Sequence, residues 1–285
     1  LEKILKGYDR RGNFLGLFFT DAFMLSDFFL VRSFLKWKNT YVVKMEEWMD
    51  IVSELDAAVS MADFRYNHPE ATDAEIVDGS PVLFEAKNLY HPFLGAKAVK
   101  NDFAIHDDNY YIITGANMAG KSTFLRSLGV NYILAMSGMP VFAGSLKVSR
   151  FQLFSSMRTT DDLTHGISYF NAELLRLEQL MQFCKRGELR TLIILDEILK
   201  GTNSLDKLNG SRLFLESISR MPVTGVIATH DLELSRMAES SPGRFHNYCF
   251  EIDLGTDVTY TYKIQPGVAR NQNATFLLNK ILERN

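Results

Sequence analysis

Apolar residues recur at three- and four-residue spacing through Phe23, Met24, Phe28, Val31, Phe34 and Leu35, and again through Met45, Trp48, Ile51, Val52 and Leu55. That period belongs to helices with one apolar face. Residues 1 to about 66 are therefore expected to form a helical module, its Phe and Met stripe packed into a core. Residues 67–81 hold two prolines, one glycine and several acids and read as a boundary loop.

Beyond residue 81 the period shortens. Apolar runs at 82–84 and 110–114 are separated by a turn cluster at 106–109, the pattern of short strands. Strand-like runs at 192–195 and 223–229 then alternate with helical ones at 123–135, 172–183 and 205–221, which is the α/β signature. Runs at 248–252 and 258–264 predict a hairpin, and residues 273–282 a last helix. The expected division is a helical module over 1–78 and an α/β domain over 79–285.

Composition narrows the reading further. A chain of 285 residues with 46% apolar content can bury one large core and a smaller one. Its 31 basic and 34 acidic residues give a net charge of -3, so the chain as a whole carries no footprint for nucleic acid. Any DNA contact is expected to be local or to lie outside this segment. Cys184 and Cys249 are the two cysteines, too few for a disulfide framework, which points to a reducing compartment and the cytoplasm. The chain starts at Leu1 without the charged and apolar regions of a signal peptide, so none is expected. The most apolar stretch, 14–35, is interrupted by Asp21, Asp27 and Arg32, which argues against a membrane span.

The chemistry starts at residue 110. The run Tyr110-Tyr111-Ile112-Ile113-Thr114 leads into Gly115-Ala116-Asn117-Met118-Ala119-Gly120-Lys121-Ser122-Thr123, a phosphate-binding loop in its strand-loop-helix context. The glycines let backbone N–H groups turn toward phosphate oxygens, and the following helix offers its positive end. Lys121 can reach the β- and γ-phosphates of ATP, and the Ser122 hydroxyl can ligate Mg²⁺. Farther along, Leu192-Ile193-Ile194-Leu195 ends in Asp196-Glu197. A parallel strand delivers its C-terminal end to the ligand crevice, so Asp196 is expected to hold Mg²⁺ and Glu197 to polarise the attacking water. A third strand ends in His230, placed to sense the γ-phosphate. The other five histidines lack any spacing from cysteines or carboxylates that would suggest zinc.

These segments resemble the MutS family in detail. The loop from Thr114 to Thr123 is similar to its nucleotide loop, with the Asn117-Met118 pair. Asp161-Asp162-Leu163-Thr164-His165-Gly166-Ile167-Ser168-Tyr169-Phe170 resembles the family's signature segment. Asp196-Glu197 followed by Gly201-Thr202-Asn203-Ser204-Leu205-Asp206 resembles its Walker B and D-loop, and Ala228-Thr229-His230 its switch. Tyr262-Lys263-Ile264-Gln265-Pro266-Gly267 is similar to its late strand, and residues 54–62 to the end of its helical lever. His91-Pro92 resembles the motif that opens its ATPase domain. Ala116 and Ala119 stand where the family usually has proline and glycine, and residues 269–275 depart from its serine-rich continuation.

The resemblance implies a P-loop fold of the ABC/MutS type with an N-terminal helical module, and a chain that hydrolyses ATP with Mg²⁺. It implies His91 among the nucleotide-binding residues. It also implies a homodimer formed through the ATPase domains, in which Ser168 reaches the partner's site, and DNA bound by other parts of the parent. Two functions stay open: coupling of nucleotide state to binding of mismatched or otherwise structured DNA, and nucleotide-gated assembly with no role in mismatch recognition.

Overall fold

The α/β pattern read from the sequence takes shape as two sheets flanked by helices. The computed structural model describes residues 2, 6, 25–79, 81–157, 169–186, 189–254 and 258–270. The chain divides into two compact units, Leu1–Asn67 and His68–Asn285. The expected division at 78/79 falls just past the first strand of the second unit.

In the first unit, helix α1 (Ser26–Tyr41) runs through a 3-10 turn (Val42–Lys44) into helix α2 (Met45–Asn67). Tyr41, Val42 and Met45 all keep right-handed helical backbone angles, so the chain continues rather than folding back. This explains a departure from expectation: the apolar stripe is not buried. Phe28, Trp48, Ile51, Val52 and Leu55 are all exposed, and no residue of α2 is buried. Phe34, Trp37, Tyr41 and Trp48 instead form a ladder of neighbouring rings, 6.0–6.2 Å between centroids, within the range of favourable aromatic pairs.

The second unit holds a four-stranded sheet of β1 (Glu75–Val77), β2 (Leu83–Leu89), β3 (Asn101–His106) and β5 (Ser145–Ser149), in the order β1-β5-β2-β3. Its six-stranded sheet consists of β4 (Tyr110–Gly115), β6 (Gln152–Ser156), β7 (Thr191–Asp196), β8 (Val223–Thr229), β9 (Phe245–Leu254) and β10 (Val258–Pro266), ordered β10-β9-β4-β8-β7-β6. Strands β9, β4, β8, β7 and β6 run parallel, and β10 adds an antiparallel edge. Every residue of β4, β7 and β8 is buried, the mark of parallel strands covered on both faces. Period-two alternation splits them between two cores. Tyr111, Ile113, Leu192, Ile194 and Val226 pack with Phe124, Leu125 and Leu128 of helix α3 (Lys121–Met136) and with Phe84 and Ile105 of the smaller sheet. Ile112, Ile193, Leu195 and Ile227 pack with Leu180 of helix α4 (Tyr169–Arg186) and with Leu215 and Ile218 of helix α5 (Ser204–Ile218). Each such side chain, fully buried, stabilises the fold by about 1.5–3 kcal/mol.

The predicted hairpin is β9–β10. The predicted helix at 273–282 lies outside the described residues. Strand β1 lies within the stretch read as a boundary loop, where its three residues pair with β5. Among the described residues no helix is long and apolar enough to cross a membrane.

Candidate active site

Register brings the predicted residues to one edge of the large sheet. Thr114 of β4 pairs with Thr229 of β8, and Asp196 of β7 pairs with Ala228 of β8. The segments that follow these residues therefore emerge side by side at the C-terminal ends of parallel strands, where ligands bind in open α/β sheets.

The loop between β4 and α3 depends on glycine at both ends. Gly115 has φ 153°, and a Cβ there would sit 2.9 Å from the Phe250 carbonyl oxygen. Gly120, the residue before α3, has φ 110°, a conformation L side chains rarely adopt. Met118 between them takes φ 65° with its side chain 76% exposed. Helix α3 follows at once, and its first N–H groups, which lack intrahelical partners, face the loop.

Lys121 is 5% exposed, and its ammonium group donates to the carbonyl oxygens of Gly115 (2.7 Å) and Ala116 (2.9 Å). Burial pushes its pKa down to about 8, against the pull of Glu197 and Asp196. His230 Nδ1 lies 3.3 Å from Lys121 Nζ and 3.0 Å from the Gly115 oxygen, and Nε2 lies 2.9 Å from Glu197 Oε1. His230 thus links loop, switch and carboxylate, with Nδ1 facing Lys121 and the Gly115 oxygen and Nε2 facing Glu197. The bond from His230 is the main reason the Glu197 pKa falls to about 2. Charge attraction from His230 and Lys207 adds to it, while burial opposes.

A cavity of about 500 Å³ opens over the loop, within the range that holds a nucleotide-sized ligand. Its walls include His91, Asn117, Met118, Ala119, Gly120, Lys121, Ser122, Thr123 and His230. His91 accepts the Phe93 N–H at the start of a 3-10 turn, and burial followed by the charge of Arg126 lowers its pKa. Asp196 and Glu197 do not line this cavity. They line a much smaller cleft beside it, with Glu173 and Arg176. The contacts of His230 with Lys121 and Glu197 join the two. Ser168 lies outside the described residues.

Three contributors were missed from sequence. Lys207 in α5 pairs with Glu197 Oε2 at 3.3 Å. Tyr262, at φ 53° in an irregularity of β10, lines the cavity over Gly120. Asn101, 6% exposed, holds that irregularity by donating to the Tyr262 oxygen (3.0 Å) and accepting the Ile264 N–H (2.9 Å). The available signal for Lys207 was a cation in the first turn of a helix, against the dipole. Asn101 and the local conformation of Tyr262 left no sequence signal, because their contact joins residues far apart in the chain.

The family description MutS domain V matches residues 111–276. The chain is 34% identical over 212 residues to the DNA mismatch repair protein MutS of Rickettsia bellii, covering 72% of this chain and 23% of that protein. It is 30% identical over 212 residues to the DNA mismatch repair protein MutS of Staphylococcus carnosus, covering 71% and 24%. To the DNA mismatch repair protein MSH2 of Zea mays it is 30% identical over 258 residues, covering 80% and 26%. The chain thus spans about a quarter of the length of these relatives. With a domain V match that runs from β4 past β10, the chain belongs to the MutS family.

Proposed function

We propose that this chain is the ATP-binding and ATP-hydrolysing part of a MutS-family protein, and that its nucleotide state governs binding of mismatched or otherwise structured DNA by the parent. The observation that carries the reading is the hydrogen-bond chain from Lys121 through His230 to Glu197, at the ends of three neighbouring parallel strands.

In this reading the cavity takes ATP, with the loop from Gly115 to Thr123 around its phosphates and His91 among its lining residues. Lys121 moves from the Gly115 and Ala116 oxygens to the phosphates, a stronger charge-assisted partner. The residues also suit Mg²⁺. Ser122 and Asp196 offer oxygen ligands. Mg²⁺ takes few protein ligands and completes its shell with phosphates and water. When bound, it would neutralise charge building on the phosphate oxygens.

Glu197 stays ionised at neutral pH. Its carboxylate orients and polarises the water by accepting its hydrogen bond. Water attacks the γ-phosphorus, its proton passes to a phosphate oxygen, the bond to the bridging oxygen breaks, and ADP and inorganic phosphate leave. His230 senses the γ-phosphate by donating a ring N–H to it.

The pairing of chains into a homodimer and the contribution of Ser168 across it belong to the same reading. Lys121→Ala is expected to abolish tight ATP binding, whereas Glu197→Ala keeps binding and loses turnover. ATP affinity and steady-state hydrolysis of the two variants check this; undiminished hydrolysis by Glu197→Ala removes it from the catalytic role. The second reading is nucleotide-gated assembly of the parent with no role in mismatch recognition. Fluorescence anisotropy of the full parent with matched, mismatched and branched DNA separates the two.

A further inference from the structure

Lys207 stands where helix electrostatics disfavour it. It lies in the first turn of α5, near the positive end of the helix dipole, where an acid is the stabilising choice. That end is already capped: the Asn203 side chain accepts the Asp206 N–H at 3.0 Å. The lysine therefore adds nothing to the helix start. What its ammonium group meets is Glu197 Oε2, 3.3 Å away, while Oε1 of the same carboxylate faces His230.

The pair is sheltered, with Lys207 20% and Glu197 15% exposed, so it is screened less than a surface ion pair. Glu197 also needs holding. Its φ of 63° places it in the left-handed region, as does the 57° of Leu199, a backbone that persists only where its surroundings fix it. The Glu197 N–H donates to the Ala228 oxygen at 2.9 Å, which anchors the backbone, and the carboxylate is held by His230 at Oε1 and by Lys207 at Oε2.

We propose that Lys207 is a positioning residue for ATP hydrolysis: by engaging Oε2 it sets the rotation of the Glu197 carboxylate and presents Oε1 toward His230. This rests on the hydrolysis reading above. Lys207 touches neither the loop nor the large cavity, so its effect falls on the chemical step rather than on nucleotide binding.

Lys207→Met keeps the apolar stem and removes the charge, and Lys207→Arg keeps the charge. Steady-state kcat and KM are measured for both beside wild type and Glu197→Ala, with nucleotide Kd and thermal melting on the same samples. The expected result is a kcat lower by about tenfold in Lys207→Met, with Kd within about twofold of wild type and kcat largely restored in Lys207→Arg. An unchanged or raised kcat in Lys207→Met overturns the proposal. So does a parallel loss of Kd and melting temperature that Lys207→Arg fails to correct, since that marks a merely structural lysine. If wild type hydrolyses ATP no faster than Glu197→Ala, the hydrolysis reading fails and the proposal with it.

Discussion

Lys121 carries a charge that folding alone does not favour. With 5% exposure and a pKa near 8 against an ordinary 10.5, its protonated form is penalised in the folded state relative to the unfolded one. A lysine whose folded pKa is depressed destabilises the fold fully below about pH 8, and the penalty disappears as pH rises through the unfolded value. Two and a half pH units correspond to roughly 3 kcal/mol. Lys121→Met is therefore expected to be more stable than wild type at pH 7, by about 1–3 kcal/mol after allowance for the hydrogen bonds it loses. The gap should narrow between pH 8 and 10, in chemical denaturation at stepped pH. A wild type more stable than Lys121→Met at pH 7 would contradict this. Such a cost is typical of binding sites, where a group is placed for its ligand at the expense of the fold.

At the scale of elements, residues whose chemistry is local could be read in advance. Gly115, Lys121 and Ser122 announce themselves because one strand, one turn and one helix start suffice to place them. Asp196, Glu197 and His230 follow because buried parallel strands are continuous apolar runs that end at the ligand edge. The smaller sheet was harder to read. Residues of β1 are mostly exposed and their pairing with β5 joins distant segments, so neither hydrophobic period nor turn chemistry marked them. The stripe on α1 and α2 was legible as helix but misleading as core, because period reveals an apolar face and not what covers it.

The contact between β3 and β10 is of the same non-local kind, and it carries a prediction. Asn101→Ala leaves the Ile264 N–H and the Tyr262 oxygen without their partner, which costs roughly 1–3 kcal/mol. It also frees Tyr262 from its left-handed conformation over the cavity. Lower denaturation midpoint together with weaker ATP binding is the expected outcome. Loss of stability with ATP affinity untouched would detach Tyr262 from the nucleotide.

At the scale of the whole molecule, the second unit assembles loop, carboxylates and switch from β4, β7 and β8, and the proposed function adds a second chain. If Ser168 completes the partner's site, two nucleotides lie between two chains in a two-fold dimer. Mixing inactive Lys121→Ala chains with inactive Ser168→Ala chains is then expected to restore some activity, because one composite site in a mixed dimer is intact. No rescue, with activity per chain independent of concentration, would mean that each chain works alone.

Steady-state ATP hydrolysis by the purified chain, followed across chain concentration beside Glu197→Ala, tests the central claim most directly. The expected result is Mg²⁺-dependent release of ADP and phosphate by wild type, lost in Glu197→Ala. A wild-type rate equal to that of Glu197→Ala at every concentration would contradict it.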